Sequence, residues 1–384
     1  MNKDSIRLGL KTLKVKCFDR YVGTLAMTPD GKVAFSYDDE WLVNGFAISP
    51  FSLPLEKKVF IPGKRYFNGL FGIFADSLPD AWGQLLLERI LKEYKITEDI
   101  TVLDRLALVG TSGMGALEYE PDYRIIENEE IDDLDYLSKQ CQKVLKTEYS
   151  PDLDILYKLG GSSGGARPKI LTHIEDKDWI IKFLAGIDGP NCGLREYIYS
   201  ECARKSGIKM TETRLFPSKI CDGYFGTVRF DRIPYEGKMK KVHMATAAAI
   251  LEADFMSPCL DYSVLMKLTH VLTRGNAEDM ENMFRRACFN VFAHNRDDHA
   301  KNFTFLYNED EDCWRLSPAY DITYSNTYYG EHTTSVDGNG KNPGEKELMN
   351  VGTGAGIKKS LCEDIIDEIR TIVGEELAFI KKDN

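Results

Sequence analysis

The stretch HNRDDHAKNF, residues 294–303, places acid, base and amide side chains side by side. Asp297 and Asn302 are separated by four residues, and Arg296 directly precedes the aspartate. A kinase catalytic loop has the form R-D-x-x-x-x-N, in which the Asp accepts the substrate hydroxyl proton and the Asn amide holds a metal ion. His294 stands three positions before Asp297, whereas a kinase has its His two before. The spacing favours phosphoryl transfer, and a solvated polar loop is the alternative.

A further carboxylate, Asp321, follows in the stretch CWRLSPAYDITYS. This pattern predicts a strand and then a turn at the aspartate. A kinase needs such a carboxylate after its catalytic loop to hold Mg²⁺ on the phosphates. By itself Asp321 is more typical of a turn or a helix cap than of a metal ligand. Together with Asp297 and Asn302 it favours a metal site.

A glycine-rich tract, GGSSGGARPK, spans residues 160–169. It is not a Walker A loop, because Pro168 stands before Lys169 where that motif requires glycine. Its glycines still allow successive backbone N–H groups to point at phosphate oxygens. The tract therefore predicts a phosphate-binding turn, with a flexible turn between domains as the alternative.

The stretch DWIIKF predicts a strand that carries Lys182, as in kinases whose strand lysine contacts the ATP phosphates. The helix predicted over LREYIYSECARKSGI carries Glu196, a candidate ionic partner for Lys182. A strand lysine is otherwise usually a solvated edge residue. The order of glycine-rich turn, strand lysine, helix glutamate, catalytic loop and final aspartate is that of a protein kinase, and this order is more specific than any one part.

The composition indicates a soluble protein with an acidic balance. The 384 residues are 43% hydrophobic and 28% charged, and the formal net charge is −11. Because phosphate contacts need a basic face, this charge argues against tight nucleic-acid binding by the chain alone. The nine cysteines include no CxxC pair, which favours reduced thiols over a zinc site. The N-terminus lacks the apolar core of a signal peptide and no apolar run approaches a membrane span, so we expect a cytoplasmic protein.

The first 150 residues contain the patterns that would build a small domain. YVGTLAMT, KVAFSYD and WLVNGFAI are rich in strand-forming residues, which predicts a small antiparallel sheet or barrel. The segment after Phe71 switches to helical periodicity, with Pro79 expected in the first turn. Its apolar stripe comprises Trp82, Leu85, Leu86 and Ile90. GMGAL predicts a turn and short strand, and the acidic residues 127–140 predict a linker or a helix start near a domain boundary.

The later residues predict strands first and helices afterwards. Strands are expected at KILTHI, DWIIKFLA, TRLFPSKI and GYFGTVRFDRI, and the chain after residue 245 is expected to be almost wholly helical. A helix over 277–293 should bury Met280, Met283, Phe284, Ala287, Cys288, Val291 and Phe292. A final helix is expected over 360–380, with Ile365, Ile366, Ile369 and Ile372 on one face. The α+β order suits a two-lobed nucleotide enzyme with a cleft between its lobes.

Several of these motifs together resemble the HipA family of bacterial toxin kinases. GGSSGGARPKI, VRFDR, NRDDHAKNF and LSPAYDI are similar to that family's catalytic domain. VGTLAM, FGIFADSLPDAWG and GMGAL are similar to its N-terminal domain. The resemblance spans nearly the whole chain and implies a Ser/Thr protein kinase with a two-lobed protein-kinase-like fold. The implied domains are 1–115, an acidic linker or helix at 116–149, and a catalytic domain at 150–384 with its helical lobe at 245–384.

The resemblance also implies roles for individual residues, with ATP and Mg²⁺ as cofactors. Asp297 would be the catalytic base, Asn302 and Asp321 would bind Mg²⁺, and Lys182 would hold the phosphates. Residues 164–169 would form the phosphate loop, and residues 228–230 the hinge that meets adenine. The implied nucleotide-binding set is Gly164, Gly165, Ala166, Arg167, Pro168, Lys169, Lys182, Val228, Arg229, Phe230, His299, Ala300, Lys301, Asn302, Tyr320 and Asp321.

Family members are inactivated when a serine of the glycine-rich loop is autophosphorylated, and counting back from Lys169 places that serine at Ser162 or the adjacent Ser163. The loop GGARPK departs from the AGAQEK of other members. Members usually pair with a helix-turn-helix antitoxin, through which DNA is bound indirectly. Two alternatives remain on the residues: a small-molecule kinase of the same fold, and a catalytically weak co-repressor that acts with a DNA-binding partner.

Overall fold

A computed structural model describes residues 8–64, 66–96, 99–124, 133–186, 188–254, 260–326 and 330–378. These residues divide into two compact units. Unit 1 takes the described residues up to Gly193, with Leu215–Ala245 and Ala249–Glu252. Unit 2 takes Leu194–Arg214, Thr246–Ala248 and the described residues from Ala253 onward.

Unit 1 begins with an antiparallel sheet of five short strands. They are β1 (Thr12–Cys17), β2 (Arg20–Met27), β3 (Val33–Tyr37), β4 (Val59–Phe60) and β5 (Leu117–Glu120). Their order in the sheet is β4-β3-β2-β1-β5, with Thr12 paired to Ala26 and Cys17 to Leu117. Buried and exposed side chains alternate along β1, as expected when one face of a sheet lies on the core. The predicted small antiparallel sheet is confirmed.

The helices of unit 1 correct three local predictions. The helices are α1 (Asp39–Asn44), α2 (Gly72–Ala75), α3 (Ala81–Glu93), α4 (Val102–Val109), α5 (Leu134–Leu145) and α6 (Leu153–Gly160). The strand predicted at WLVN is wrong, because Asp38 caps α1 by accepting the Glu40 N–H and so starts a helix. Pro79 lies before the N-cap residue of α3, outside the first turn. The unpredicted α4 begins with a capping box between Thr101 and Asp104.

A four-stranded sheet follows in the order β6-β7-β9-β8, beside a separate hairpin. The strands are β6 (Lys169–Ile174), β7 (Lys177–Lys182), β8 (Thr213–Phe216), β9 (Tyr224–Val228), β10 (Arg232–Tyr235) and β11 (Lys238–Lys241), with the hairpin formed by the last two. α3, α5 and α6 pack on this sheet in one apolar core around Trp82, Leu137, Leu156 and Trp179. Each fully buried large side chain contributes roughly 1.5–3 kcal/mol. Of the two alternatives for residues 127–140, the described part, from 133, is the helix start; residues 127–132 lie outside the described residues.

Unit 2 contains the helices that follow. β8, β12 (Met244–Thr246), α7 (Cys192–Lys205) and α8 (Ala247–Ile250) each cross the boundary between the units. The other elements of unit 2 are α9 (Tyr262–Leu272), α10 (Ala277–Phe292), α11 (Glu345–Gly354), α12 (Lys359–Glu376), β13 (Leu260–Asp261), β14 (Thr304–Asn308), β15 (Cys313–Leu316) and β16 (Thr334–Ser335). α10 packs against α9 and α12, and Met283 and Phe284 of α10 and Ile369 of α12 are buried. The predicted helix over 277–293 is confirmed, although Phe292 is only half-buried.

The expectation of an almost wholly helical chain after residue 245 is wrong, because the described residues after α8 include β13, β14, β15 and β16. β14 and β15 form an antiparallel hairpin with Phe305 opposite Leu316. The sequence TFLYN favours a strand because Phe305 and Tyr307 point to one face and are buried. The hairpin connects the loop at 294–303 to Asp321. Among the described residues, none of the helices is both long and apolar enough to cross a bilayer.

Candidate functional site

The glycine-rich tract joins the end of α6 to the start of β6 and is held by Asp80, the N-cap residue of α3. The N–H of Gly165 donates to the Asp80 carboxylate at 2.8 Å. Gly165 has φ +86°, which only glycine adopts without strain, and a Cβ there would lie 2.5 Å from the Lys169 Nζ. The turn is therefore built around a position that only glycine suits.

Both serines of this turn point into the protein. The Ser162 hydroxyl donates to the Ser112 carbonyl at 2.9 Å, and the Ser163 hydroxyl donates to the Gly160 carbonyl at 2.6 Å. Their exposed fractions are 7% and 1%. In this conformation neither hydroxyl is accessible for modification.

Two lysines stand side by side at the exit of the glycine-rich turn. Lys169 of β6 is paired directly with Lys182 of β7, so both side chains project from the same face of the sheet. The ammonium of Lys169 donates to the Gly164 carbonyl, and that of Lys182 lies 5.7 Å from the centre of the Phe225 ring. Because like charges directly opposite each other repel, such a pair suits an anionic ligand.

The other predicted residues of the turn have local roles. Arg167 forms an ion pair with Asp188 at 3.1 Å, and the Pro168 carbonyl accepts the Phe183 N–H at 2.8 Å. Ala166 and Gly164 are exposed. The predicted contacts of these residues with phosphate stay predictions.

The predicted hinge at 228–230 follows the end of β9. Arg229 donates from its backbone N–H to the Asp178 carbonyl at 2.8 Å, and its buried guanidinium binds Asp231 through Nε and Nη2 at 2.9 and 2.7 Å. The Arg229 side chain and N–H are thus engaged within unit 1. The predicted contact of Val228 and Phe230 with adenine stays a prediction.

Asp231 is the centre of a buried charge network that the sequence analysis missed. It is fully buried between Arg229 and Arg232, and its Oδ2 also accepts the Gly115 N–H at 2.7 Å. Arg232 donates in turn to the carbonyls of Gly113 and Gly115, both at 3.0 Å. Burial alone would raise the pKa of the Asp231 carboxyl, but the charges and hydrogen bonds of the two arginines lower it to about 2. The pattern DR next to VRF was the available sequence signal.

The network also holds the loop that covers Ser162. Residues 111–115 receive bonds from Arg232 and from Lys241, whose ammonium donates to the Thr111 carbonyl at 2.6 Å. Ser112 lies in the same loop and accepts the Ser162 hydroxyl. The glycine-rich turn is thus connected to the residues after β9 through one loop.

In unit 2, α10 leads into the predicted catalytic loop. The helix stops at Ala293, and His294 reverses the chain with φ +54°. Asp297 is exposed, and its carbonyl accepts the Asn302 side-chain N–H at 2.8 Å. A 3₁₀ turn, Ala300–Asn302, makes this contact possible, because the Asn302 N–H bonds the His299 carbonyl. The spacing R-D-x-x-x-x-N is thus a closed loop with its aspartate facing out.

The neighbouring aspartate has the opposite environment. Asp298 is buried and accepts hydrogen bonds from the Tyr262 hydroxyl at 2.9 Å, the His332 Nδ1 at 2.9 Å and the Thr334 N–H at 3.1 Å. The sequence analysis assigned Asp298 no role. Its partners are far away in the sequence, so only the DD doublet itself could have drawn attention to it.

Tyr320 brings the second carboxylate segment to the catalytic loop. Its hydroxyl donates to the Lys301 carbonyl and accepts the Thr304 hydroxyl, with 2.6 Å between the two oxygens. Lys301, which precedes Asn302, and Tyr320, which precedes Asp321, are therefore in direct contact. Asp321 is half-buried and has φ +55°, a strained backbone for a non-glycine residue.

Asn302 and Asp321 have the chemistry of Mg²⁺ ligands. Because the Asn302 N–H is donated to Asp297, its amide oxygen is left for a cation, and the Asp321 carboxylate is a second hard oxygen. Mg²⁺ usually takes only one or two protein ligands beside phosphates and water. No group of three His, Cys, Asp or Glu side chains in the described part of the chain could hold a metal by itself. The oxygens of Asn302 and Asp321 would fit a Mg²⁺ ion that takes its other ligands from water or phosphate.

The remaining predicted residues lie in the catalytic loop or on the elements that carry Lys182 and Glu196. Ala300 is buried, and His299 and Lys301 are half-buried. Lys182 belongs to unit 1 and the buried Glu196 to unit 2, so their predicted ion pair stays a prediction.

Comparison with known proteins adds an independent observation. Residues 161–376 match the model of the HipA-like C-terminal domain, and residues 13–120 match that of the HipA N-terminal domain. Comparison with curated protein sequences gave no match.

Two of the solved structures that match this chain are the following. One is the Shewanella oneidensis MR-1 toxin–antitoxin complex of HipA, HipB and operator DNA, with TM-score 0.70, 18% identity, and coverage of 96% of this chain and 91% of that chain. The other is the Helicobacter pylori proinflammatory kinase CtkA, with TM-score 0.36, 12% identity, and coverage of 55% and 90%. The first confirms the predicted HipA-like α+β fold.

Proposed function

The chain belongs to the HipA family, and we propose that it is an ATP-dependent kinase that phosphorylates a Ser or Thr of a cellular protein. One observation carries this proposal. The exposed Asp297 is held by Asn302, and Tyr320 brings the Asp321 segment to the same loop. A base and two hard oxygen ligands in this arrangement are the parts that phosphoryl transfer requires.

Each residue has a definite part in the proposed reaction. Asp297 accepts the proton of the acceptor hydroxyl as its oxygen attacks the γ-phosphorus and ADP leaves. Asn302 and Asp321 would hold Mg²⁺ through their oxygens, and the ion would offset negative charge on the ATP phosphates. Lys169 and Lys182, which are paired across β6 and β7, would contact phosphate oxygens.

We also propose that autophosphorylation of Ser162, or of Ser163, switches the kinase off. Both hydroxyls are buried, so the glycine-rich turn must open and break the Ser162–Ser112 bond before phosphate can be added. A phosphoserine adds about −1.5 to −2 charges and could not return to this site. The turn would then stay open and lose its phosphate-binding shape.

The switch is tested by incubating the purified chain with Mg²⁺-ATP and mapping phosphosites by tandem mass spectrometry. Ser162→Ala and Ser163→Ala serve as each other's matched control. We expect label on one of the two and weaker ATP binding after labelling. Absence of label on both, or unchanged ATP affinity in the labelled protein, would refute the switch.

The proposed partner is a helix-turn-helix antitoxin, with DNA bound only through it. The similar Shewanella structure is a complex of HipA with HipB and operator DNA. A net charge of −11 supports an indirect role at DNA, because the chain alone would repel phosphates. The proposed location is the cytoplasm, where ATP, antitoxin and DNA are all present.

The substrate class is tested by following the γ-phosphate of labelled ATP. The purified chain with Mg²⁺ is mixed with a lysate separated into its protein and small-molecule fractions. We expect label in protein, as phosphoserine or phosphothreonine. Label confined to small molecules would instead indicate a small-molecule kinase, and ATP binding without transfer to either fraction would indicate a co-repressor.

A further inference from the structure

Three consecutive carbonyls of the catalytic loop are bound within unit 2. The Arg296 carbonyl accepts both the N–H and the hydroxyl of Thr333 at 3.0 Å. The Asp297 carbonyl accepts the Asn302 amide at 2.8 Å. The Asp298 carbonyl accepts the Thr334 hydroxyl. The backbone on both sides of Asp297 is therefore held by side chains and N–H groups outside the loop's own turn.

The carboxylate of Asp298 adds a second attachment to the same segment. Its Oδ1 accepts the Thr334 N–H, and its Oδ2 accepts both His332 Nδ1 and the Tyr262 hydroxyl. The side chains of Asp298 and His332 are 0% and 2% exposed. Asn290 donates in turn to the Tyr262 hydroxyl at 2.7 Å, so the network reaches back into α10.

The segment that holds the loop is itself anchored. β16 pairs with β13 in parallel, with Leu260 beside Thr334 and Asp261 beside Ser335. The Asp261 carboxylate accepts the Ser335 hydroxyl at 2.6 Å and the Gly338 N–H at 2.8 Å. Residues 332–338 are thus bound to the start of α9, and Tyr262 begins that same helix. We name residues 332–334 the clamp segment.

From these contacts we propose that Asp298 is a positioning residue, which fixes Asp297 for catalysis by binding the clamp segment. The inference rests on the proposed kinase function. The two aspartates have different roles, because Asp297 is exposed and accepts the proton, whereas Asp298 is buried and contacts no substrate. A base must be placed to within a fraction of an ångström, and a misplacement of about 1 Å costs on the order of 10²-fold in rate. The clamp segment is therefore part of the active site although it contributes no reacting group.

His332 offers the sharpest test, because one substitution removes its bond and another restores it. His332→Ala deletes the donor to Asp298. His332→Asn keeps a donor, because the asparagine side-chain nitrogen and the histidine Nδ1 are both bonded to Cγ. His173→Ala is the matched control, since His173 also contacts an aspartate, Asp178, at 2.8 Å but is exposed and lies in unit 1. Thr334→Val removes a second clamp bond with little change of shape.

The variants are compared by single-turnover hydrolysis of Mg²⁺-ATP, with water as the phosphoryl acceptor, by ATP affinity, and by amide hydrogen exchange of residues 294–302. We expect His332→Ala and Thr334→Val to slow cleavage about 10- to 100-fold, with ATP affinity within about threefold of the parent. Exchange should rise in the catalytic loop. His332→Asn should recover most of the rate and the protection, and His173→Ala should match the parent.

Two results would overturn the proposal. One is parent-like cleavage and loop exchange in His332→Ala. The other is loss of ATP binding with faster exchange throughout unit 2, which would make the role of His332 merely structural. If the parent itself does not cleave ATP, the proposed function is refuted. Hydrogen exchange then still tests whether the clamp segment holds the catalytic loop, because protection of residues 294–302 must be lost in His332→Ala and regained in His332→Asn.

Discussion

Replacing Asp231 by asparagine removes the carboxylate that the buried Arg229 and Arg232 both bind, while keeping the side chain's shape. Its Oδ2 accepts Gly115 N–H, Arg229 Nη2 and Arg232 Nη1 at 2.7–2.8 Å, and its Oδ1 accepts Arg229 Nε at 2.9 Å. Asparagine has one oxygen, so its amide group must face a buried N–H donor in either orientation. The two guanidinium groups also lose their counter-charge.

The expected loss of stability follows from these contacts. One buried donor left without an acceptor costs about 1–3 kcal/mol. Removing one partner of a buried ion pair costs about 3–5 kcal/mol, because a charge stays buried and uncompensated. We therefore expect the free energy of unfolding of unit 1 to fall by about 3–5 kcal/mol. At about 2–4 °C per kcal/mol for a unit of this size, the melting temperature should fall by roughly 6–20 °C.

The measurement is thermal unfolding of the parent and variant by circular dichroism, together with urea titration. Asp39→Asn is the matched control, because Asp39 also forms an ion pair, with Lys57 at 2.7 Å, but both side chains are 76% exposed. Such an exposed pair contributes little, so the control should melt like the parent. If Asp231→Asn also melts within a degree of the parent, the buried network does not hold this region together and the reasoning is wrong.

Further predictions concern the metal, the phosphates and acid. Asn302→Ala and Asp321→Ala should weaken ATP binding chiefly when Mg²⁺ is present; calorimetry with equal affinity in both variants and parent would exclude them as ligands. Lys182→Met should weaken ATP and ADP binding but leave adenosine binding unchanged, whereas an equal loss for adenosine would contradict a phosphate contact. Burial lowers the pKa of His243 to about 4, below its ordinary 6.5, so the unfolded chain binds the proton first and stability should fall by about 3 kcal/mol as pH falls from 6.5 to 4. In His243→Gln this part of the pH dependence should disappear, and an unchanged pH profile would exclude His243 as its source.

Local patterns predicted much of what positions the site. The periodicity of residues 277–293 predicts α10 correctly, because apolar residues recur on one face of the helix in consecutive turns. The strands at KILTHI and DWIIKF are where the sequence places them, with Lys169 and Lys182 in direct register. Asp297 and Asn302 are close enough in the sequence for a single closed loop to bring them into contact.

Contacts between distant residues could not be predicted from one sequence. Asp297 and Asp298 are identical neighbours, and their roles separate only because Tyr262 and His332 bury one of them. The predicted nucleotide contact of Arg229 stays a prediction, and the motif VRFDR alone could not show that the Arg229 side chain binds a buried Asp231. The error at α1 has a local cause instead, because the capping residue Asp38 starts a helix in residues with strand propensity.

The central claim is that Asp297 is the base of a phosphoryl transfer from ATP. The most direct measurement is the single-turnover rate of Mg²⁺-ATP hydrolysis, in which water accepts the γ-phosphate and gives its proton to Asp297. The rate is measured in the parent and in Asp297→Asn, with ATP affinity measured on the same samples. Loss of a positioned base should lower the rate by about 10²–10⁴-fold while ATP affinity stays within about threefold of the parent. A variant that turns over at the parent rate would contradict the account, because Asp297 would then accept no proton in the step.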